Sequence, residues 1–597
     1  MELKEDWDCM TTPRIHIDIS VVLTLHNEGR IAHRTCRALH RAVNFARDRG
    51  KAVEVIAVLD RAADRVLVEV AKDWQHKFTC DFDCIAVDHG DLSLARNSGV
   101  SRSVGDFISI LDGDDLYGSE WLYRAHEAVS SNPNAIAHPE ALLYFPIQPY
   151  MVRFNPDPRV FLDLIVHNRW TALLMAHRSL FLRMPYREHA DRYTAEDWLW
   201  NCETAAAGHE HVLISNTFMG IRQKPATESL WARSAEQKRT VRANALFRSI
   251  LLMEYEKDIA ALAGCELSEV GANRRTEFLA CLRSLIAQHL YREHRKLHKA
   301  LFSAVDHLSD RIRAFRVGYP SWVKDEMRRL SEIEPVLKTI RRPPVRKPGV
   351  ITRIPMVVNP AMAMLVKADK PAVFVLPSLG GEAAVNSLPY IYTANQSIFV
   401  ITTEDSRTEY LRSLPEAAVH VDMRGTYLSY EQQLHLTHRL LLEADPGFIH
   451  VIDSPMTFEM LDRYGGTFEG VNLFGSFLKP IETGLRPQVG PLLSDFTSLL
   501  DCFQGISTYD RDLAEWIVGT LGIPESSVFR HRLALPPSVQ AEVFNPANRD
   551  KELLSEAKLD APWVVGRETA TTGDSSQAER RWEEFRSQAL EFYGIDH

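Results

Sequence analysis

Short apolar runs and longer amphipathic stretches alternate along the first 130 residues of the chain. The apolar runs are 17–25, 53–59, 84–87 and 107–111. Short β-branched runs separated by helical patterns predict a mostly parallel sheet with helices on its faces. Ligands bind such sheets at the carboxyl ends of the strands. Because Asn27, Asp60 and Asp112 follow three of these runs, we expect a binding site at that edge.

A second region with the same alternation begins at residue 372. Its apolar runs are 372–376, 397–402, 418–422 and 448–452. Helical stretches separate these runs, so the region predicts a second, Rossmann-like α/β domain.

The stretch between the two alternating regions is helical in pattern and basic in charge. Residues 271–350 hold 18 lysines and arginines against 8 acidic residues, a charge of +10 within a chain of net charge −10. A solvated helical face is one interpretation, and a surface facing anionic lipid or a phosphorylated acceptor is the other. Three prolines between Arg341 and Gly349 cannot continue a helix and predict a linker.

Composition limits the class of protein. Apolar residues make up 45% and charged residues 25% of the chain, which is typical of globular proteins. The negative net charge lacks the global basic footprint of a nucleic-acid-binding protein. No apolar run approaches the roughly 18–20 residues of a membrane span, and Met1 to Pro13 lacks the apolar core of a signal peptide. Eight scattered cysteines favour reduced thiols, and we therefore expect a cytoplasmic protein.

These patterns predict six segments. They are an N-terminal tail at 1–14, a first α/β domain at 15–235, a helical basic region at 236–340, a linker at 341–350, a Rossmann-like domain at 351–544 and a polar tail at 545–597. Because a proline-bearing linker imposes few constraints, we expect the two α/β domains to fold separately and a 1–345 fragment to keep the chemistry of the first domain.

Five chemistry-bearing elements follow one another in the first domain. They are Asn27-Glu28, Asp60, the helix start Ala95-Arg96-Asn97-Ser98-Gly99, the strand end Asp112-Gly113-Asp114-Asp115, and Glu196-Asp197 before a helix. In their order and spacing they resemble the family 2 glycosyltransferases over roughly residues 15–230. The resemblance implies a GT-A fold, that of nucleotide-diphospho-sugar transferases, for this domain.

The two aspartates at the end of the fourth strand suit a metal–diphosphate unit. Asp112 and Asp114 lie two residues apart and would share one face of a continued strand. Mn²⁺ or Mg²⁺ binds one or two carboxylates plus phosphates, and it neutralises the charge that develops on the leaving nucleotide. The resemblance implies that Asp114 is the direct metal ligand and that Asp112 lies nearer the ribose. Asp115 is interpreted as structural.

Other residues at the strand ends would bind the donor. The resemblance implies that Asn27, Glu28 and Asp60 meet the base or ribose of the donor. Asp60 is followed by Arg61 rather than by the Asp-Gly-Ser common in the family, so the base stays open. Arg96 would pair with the donor phosphate or with an aspartate of the same site. In either role its charge offsets a crowded acidic pocket.

Glu196 and Asp197 supply the acceptor side. An inverting transferase needs a base that takes the proton from the attacking hydroxyl. The resemblance implies that Asp197 is this base and that Glu196 assists it or holds the loop. Because a helix begins near Trp198, an N-terminal capping role is the alternative, and the two roles are compatible.

The start of the second domain is similar to another glycosyltransferase class. Leu376-Pro377-Ser378-Leu379-Gly380-Gly381-Glu382 resembles the opening of the amino-terminal half of a GT-B enzyme, which binds the acceptor. A generic Gly-Gly turn before a helix is the alternative. GT-B enzymes bind their donor mainly in a second Rossmann half, for which the polar residues after Pro537 are too few. We therefore expect no independent catalysis by this domain.

The function implied is a metal-dependent, hexosyl-type glycosyltransferase of O-antigen, capsule or exopolysaccharide synthesis. It would use a nucleotide-diphosphate sugar and a glycan or lipid-linked acceptor, in the cytoplasm or peripherally at the inner membrane face through residues 271–350. A catalytically inactive GT-like glycan-binding or scaffold protein is one alternative. A sugar nucleotidyltransferase is another, which the Ala-Arg-Asn-x-Gly and Glu-Asp elements disfavour.

Overall fold

A computed structural model describes most of the two α/β regions. The described residues are 16–62, 65–154, 164–165, 168–188, 195–225, 227, 234, 236–238, 320–340, 343–346, 370–379, 381–394, 397–404, 414–416, 418–423, 430–477, 499–508, 511–530 and 575–595. Residues 271–319 of the basic region and 545–574 of the polar tail lie outside this set.

The first sheet is mixed and has ten strands among the described residues. They are β1 Ile19–Leu25, β2 Val53–Asp60, β3 Asp81–Val87, β4 Phe107–Asp112, β5 Leu116–Tyr117, β6 Ala135–Phe145, β7 Tyr150–Arg153, β8 Met175–His177, β9 Glu210–Arg222 and β10 Val345–Arg346. The order is β10-β7-β6-β8-β4-β1-β2-β3, and β9 pairs with both β5 and β6. The part from β4 to β3 is parallel, whereas β8 runs antiparallel to β4.

Helices cover both faces of this sheet. They are α1 Ile31–Arg47, α2 Arg65–Lys77, α3 Leu92–Arg102, α4 Trp121–Val129, α5 Arg178–Arg183 and α6 Glu196–Ala206. The helix α1 buries Ala32, Cys36, Leu39 and Val43, which recur at helical spacing. In α3, a Cβ on Gly99 would lie only 2.4 Å from Val22 Cγ1, so glycine lets this helix lie directly on β1.

The predicted α/β fold class is confirmed for the first domain. Four apolar runs form β1 to β4, and all residues of β1 and β2 are buried. Asp60 and Asp112 are the last residues of β2 and β4, and they lie at the same edge because these strands are parallel.

Residues 320–346 pack on the first sheet, which differs from the expected division into a helical region and a linker. Helix α7, Ser321–Ser331, is followed by a 3-10 helix, Pro335–Thr339, and by β10, which pairs with β7. Val323, Leu330, Leu337 and Val345 are buried in one cluster with Phe145. Burial of these apolar side chains holds the segment on the domain despite its prolines.

The second sheet is wholly parallel over the described residues. Its strands are β11 Ala372–Leu376, β12 Ile398–Thr402, β13 Val419–Asp422, β14 Phe448–Ile452, β15 Leu473–Ser476, β16 Gly505–Thr508 and β17 Val528–Arg530. The order β13-β12-β11-β14-β15-β16-β17 reverses direction between β11 and β14, as in doubly wound folds. This order confirms the predicted Rossmann-like α/β layer.

Five helices pack around the second sheet in the described ranges. They are α8 Gly381–Thr393, α9 Tyr430–Glu443, α10 Pro455–Tyr464, α11 Arg511–Leu521 and α12 Ser575–Tyr593. None of the helices that the structure describes combines the length and the apolar character needed to cross a membrane.

Helix α12 lies within the segment expected to be a polar tail, and it belongs to the core of the second domain. Trp582, Phe585, Ala589 and Tyr593 are buried there with the strand residue Phe448. These four residues recur every three or four positions and so form one apolar stripe. The polar average of the segment hid this stripe.

The two α/β domains share a hydrophobic cluster. Trp198, Cys202 and Ala205 of α6 are buried together with residues of the second sheet and its helices. The guanidinium carbon of Arg439, on α9, lies 4.2 Å from the centre of the Trp198 ring. This packing differs from the expected independence of the domains, because the second domain buries one face of α6, a helix of the first domain.

We expect a fragment that ends at residue 346 to be less stable than the first domain within the full chain. Removing the second domain exposes the face of α6 that carries Trp198, and loss of the contacts of a large core aromatic typically costs about 3–5 kcal/mol. Thermal unfolding and size-exclusion chromatography of the two proteins check this. A fragment that stays monomeric and unfolds at an unchanged temperature would show that the shared cluster is dispensable.

Candidate active site

The buried guanidinium of Arg96 joins the two halves of the candidate site. Arg96 comes from α3 and is 1% exposed. It donates to Glu196 Oε1 at 2.7 Å and to both carboxylate oxygens of Asp112 at 3.0 Å. Burial lowers the pKa of Arg96, but Asp112 and Glu196 outweigh burial and hold this pKa above its ordinary value. The structure shows the pairing with an aspartate, which was one of the two possibilities that the sequence left open, and it adds Glu196 as a second partner.

The end of β4 is fixed by its neighbours on β1. Thr24 donates from its hydroxyl to Asp112 Oδ1 at 2.9 Å, so each oxygen of Asp112 has a partner. A Cβ on Gly113 would lie 2.7 Å from the backbone oxygen of Thr24. Only glycine therefore lets residues 112–115, here called the acidic loop, pass this close to β1.

Asp197 lies at the start of α6 and is oriented from two sides. Its Oδ1 accepts from Asn168 Nδ2 at 3.0 Å and from the backbone N–H of Trp198 at 2.7 Å. Ala195, the N-cap residue of α6 and two positions before Asp197, has φ of 99°, a value that costs a non-glycine residue about 1–3 kcal/mol. Such local strain is typical of functional sites, where the surrounding structure holds it.

The environment of Asp197 gives this carboxyl an unusual proton affinity. Burial and the neighbouring Glu196 raise its pKa to about 7, although Arg96 and the hydrogen bond from Asn168 act in the opposite direction. A carboxyl with a pKa near neutrality both holds and releases a proton at working pH, which suits a general base.

We expect activity to depend on the ionisation of Asp197. Protonated Asp197 cannot accept a proton, so kcat/KM should fall roughly tenfold per pH unit below about pH 7 and level off above it. In Asn168→Ala the lost hydrogen bond removes an influence that lowers this pKa, and the acid limb should move to higher pH. A profile that is flat between pH 5 and 8 in the unaltered protein would remove Asp197 from the role of base.

Asp114 and Glu28 share one cationic neighbour. Lys224 Nζ lies 2.9 Å from Asp114 Oδ2 and 3.8 Å from Glu28 Oε1. Burial raises the pKa of Glu28, and the charge of Asp114 raises it further. Burial lowers the pKa of Lys224, but Asp114 and Glu28 raise it above its ordinary value. The two carboxylates therefore form a partly buried pocket that favours positive charge.

Asp115 is buried behind this pocket. Its Oδ1 accepts from the backbone N–H of Arg222 at 2.8 Å. Burial, followed by the charges of Asp114 and Asp112, raises the pKa of Asp115 well above its ordinary value. The contact joins the acidic loop to the end of β9 and agrees with a structural role for Asp115.

The predicted base and ribose residues lie at the ends of β1 and β2. Asp60 Oδ1 accepts from the backbone N–H groups of His89 at 2.7 Å and Gly90 at 2.9 Å. His26 Nδ1 contacts the backbone oxygen of Asp60 at 2.6 Å, while Asn27 is exposed. One oxygen of Asp60 thus holds the 89–90 turn.

Asn97 shows what the residue after Arg96 does. Its side chain donates to the backbone oxygen of Tyr186 at 2.7 Å and accepts from the backbone N–H of Tyr186 at 3.0 Å. The Tyr186 ring lies 5.3 Å from the Arg96 guanidinium and stacks on Trp200. The two hydrogen bonds from Asn97 thus hold Tyr186 beside Arg96.

The structure thus brings together Arg96, Asp112, Glu196 and Asp197, and beside them Asp114 with Glu28. Neither Asn168 nor Lys224 was among the site residues predicted from the sequence. Asn168 lies in an irregular segment without a motif, 29 residues before its partner. Lys224 lies two residues after β9, which ends at Arg222, and this position was the available signal.

Comparison with known proteins bears on the first domain. Residues 20–189 match glycosyl transferase family 2. The succinoglycan biosynthesis protein ExoM of Rhizobium meliloti (strain 1021) is 30% identical over 146 residues. That alignment covers 24% of this chain and 45% of ExoM, so the chain spans less than half the length of this curated relative.

Solved structures give weaker likenesses. S. aureus TarS 1–349 in complex with UDP-GlcNAc is 15% identical, with a TM-score of 0.29 over 35% of this chain and 59% of TarS. GalNAc-T7 with UDP, GalNAc and Mn²⁺ is 13% identical, with a TM-score of 0.28 over 35% of this chain and 44% of that protein. The GT-B resemblance of the second domain stays a prediction, whereas the resemblance of the first domain is supported by its match to glycosyl transferase family 2 over residues 20–189.

Proposed function

We propose that this chain is an inverting glycosyltransferase that moves a sugar from a nucleotide-diphosphate donor to a glycan or lipid-linked acceptor in polysaccharide synthesis. The observation that carries the proposal is Arg96, which joins Asp112 at the end of β4 to Glu196 at the start of α6. A residue proposed for the donor side and a residue proposed for the acceptor side are thereby hydrogen-bonded to one arginine. The family match and the likeness to a succinoglycan biosynthesis protein support this class of reaction.

Asp197 would act on the acceptor. Its carboxylate accepts the proton of the acceptor hydroxyl as the oxygen forms a bond to the anomeric carbon. On the opposite side the bond between that carbon and the diphosphate oxygen breaks, and the electron pair leaves with the nucleoside diphosphate. Asn168 holds the carboxylate in position through its amide. Attack opposite the leaving group inverts the anomeric centre.

Arg96 and Glu196 would hold the geometry between the two substrates. The Arg96 guanidinium already pairs with two carboxylates. We therefore propose that Arg96 aligns Asp112 and Glu196 and does not bind the donor phosphate. Breaking such a buried pair on one side typically costs about 3–5 kcal/mol, which keeps the arrangement rigid.

The donor nucleotide would lie along the ends of β1 and β2. Asp60 uses Oδ1 for the 89–90 turn, and we propose that its second oxygen accepts a hydrogen bond from the base or ribose. Asn27 is exposed beside it and is proposed to contact the same moiety.

The residues fit a divalent cation at Asp114. No group of three or more His, Cys, Asp or Glu side chains suited to a metal ion occurs in the parts of the chain that the structure describes. Mg²⁺ and Mn²⁺, however, use one or two carboxylates when substrate phosphates complete the shell. We propose that Asp114 and Glu28, which share Lys224 as a neighbour, are the protein ligands of the cation. Asp112 is a less suitable second ligand because both of its carboxylate oxygens accept hydrogen bonds from Arg96.

A bound Mn²⁺ or Mg²⁺ would neutralise charge that develops on the leaving diphosphate. Lys224 already supplies one positive charge at this position, 2.9 Å from Asp114. When a metal ion binds the carboxylates of Asp114 and Glu28, the ammonium group of Lys224 would be available to bind the diphosphate.

Location and acceptor are part of the same proposal. A nucleotide-sugar donor suits action in the cytoplasm, and a lipid-linked acceptor suits contact with the inner face of the membrane. Residues 271–319 of the basic segment, which would make that contact, lie outside the described residues.

A thermal-shift screen tests the donor class. The full chain is heated with nucleoside diphosphates and nucleotide sugars, each with and without Mn²⁺. A ligand at 100 times its Kd adds about 2.7 kcal/mol of stability. We expect stabilisation by at least one nucleoside diphosphate, increased by Mn²⁺. No stabilisation by any of them would contradict the proposed donor.

A further inference from the structure

A segment beyond the family match is linked through Arg222 to the acidic loop of the candidate active site. The helix α7, the 3-10 helix after it and β10 lie outside residues 20–189, yet they pack on the first sheet. Ser119, just after β5, donates from its backbone N–H and its hydroxyl to Glu326 of α7 at 2.7 and 3.0 Å. The segment is thus anchored close to Asp112–Asp115 by polar contacts as well as apolar ones.

Glu334 is the most buried charged group among those residues of this segment whose side chains the structure describes. Its side chain is 1% exposed, and both carboxylate oxygens accept from Arg34 Nη1 at 2.8 Å. Arg222 Nη2 donates to the same carboxylate. Burial raises the pKa of Glu334, but the hydrogen bonds from Arg222 and Arg34 hold this pKa below its ordinary value. The carboxylate is therefore charged at neutral pH and holds both arginines.

Arg222 connects Glu334 to the acidic loop through hydrogen bonds. Its Nε donates to the backbone oxygen of Asp114 at 3.1 Å, and its backbone N–H donates to Asp115 Oδ1 at 2.8 Å. Two residues later, Lys224 contacts the carboxylate of Asp114. The path from Glu334 to the candidate metal ligand thus passes through one side chain.

We propose that Glu334 is a positioning residue for the donor site, which fixes the acidic loop through Arg222. This proposal is built on the proposed function, because the loop is taken as the binding site of the donor diphosphate. A consequence is that the catalytic unit extends to residue 346, well beyond the family match. Glu334 touches neither substrate, so its loss should weaken donor binding more than it slows the chemical step.

Glu334→Gln tests the proposal, with Glu332→Gln as its matched control. Glu332 lies two residues away, accepts from Arg41 at 2.9 Å and has a side chain that is 61% exposed. Amide hydrogen exchange of the full chain without ligand is measured in peptides that cover 112–118 and 219–224. We expect faster exchange in both peptides for Glu334→Gln and unchanged exchange for Glu332→Gln. Equal exchange in the two variants would overturn the coupling whatever the protein's activity.

Nucleotide binding is the second readout. In Glu334→Gln we expect roughly tenfold weaker binding of a nucleoside diphosphate with Mn²⁺, or a donor KM raised by as much, with kcat within about twofold. Should Glu334→Gln fail to fold, Arg222→Lys keeps the charge and the backbone contact to Asp115 and should show the same split. An equal loss of kcat and binding in both variants would indicate a merely structural role.

The two proposals fail in different ways. If the unaltered chain binds no nucleoside diphosphate, the proposed function fails, while the exchange experiment still decides on the coupling. If the unaltered chain binds and Glu334→Gln binds equally well, the positioning role is overturned and the proposed function stands.

Discussion

Asp197→Asn should lower turnover by at least roughly 10²-fold while nucleotide affinity stays nearly unchanged. General bases contribute about 10²–10⁴-fold, and asparagine keeps the shape and the capping ability of aspartate without accepting the proton. Asp197 lies on α6, and its bonded neighbours are Asn168 and the Trp198 amide rather than the acidic loop. Steady-state rates and nucleotide titration of the folded variant measure both quantities.

Glu196→Gln is the companion variant for this experiment. Glu196 accepts from Arg96 at 2.7 Å, so glutamine weakens that contact and should lower turnover less than Asp197→Asn. A greater loss in Glu196→Gln would exchange the two roles. If neither variant changes turnover, the pair only begins the helix, and the base must be sought elsewhere.

Asp114→Asn should abolish transfer and remove the metal-dependent part of the stabilisation by a nucleoside diphosphate. The change removes one of the two carboxylates, Asp114 and Glu28, that lie around Lys224 and are proposed to bind the metal ion. Mg²⁺ and Mn²⁺ need carboxylate oxygens as ligands. Asp73→Asn is the control, since Asp73 lies on α2 and pairs with Lys77 on the surface. The measurement is thermal unfolding with nucleotide, with and without Mn²⁺.

Two outcomes would contradict the assignment of Asp114. One is normal metal-dependent nucleotide binding by the folded Asp114→Asn protein. The other is nucleotide binding that ignores Mn²⁺ and chelators but disappears in Lys224→Ala. In that case Lys224, 2.9 Å from Asp114, would be the cation that the site uses.

The central strands and the edge that carries the site could be predicted from the sequence. Buried parallel strands are continuous apolar runs, and a polar residue directly after such a run marks the carboxyl end. The positions of Asp60 and Asp112 at strand ends could be predicted in this way. The family resemblance added Arg96 and Asp197, whose roles stay predictions. The family match over residues 20–189 confirms that resemblance.

Contacts between segments far apart in sequence could not be predicted. Asn168, and Glu334, which is 112 residues from Arg222, reach the site only because the intervening elements pack as they do. The face of α6 that packs on the second domain has the same apolar spacing as any core helix. The sequence therefore could not indicate that this face packs on another domain. Helix α12 did carry a readable stripe, which the polar average of its segment obscured.

The most direct test of the proposed function is nucleoside diphosphate release from nucleotide sugars by the purified full chain. The assay supplies a panel of nucleotide sugars with Mn²⁺ and compares the unaltered protein with Asp197→Asn. We predict release from at least one nucleotide sugar, lost in the variant. Absence of release from every nucleotide sugar would contradict a glycosyltransferase, and pyrophosphate formed from a nucleoside triphosphate and a sugar phosphate would instead reveal a nucleotidyltransferase.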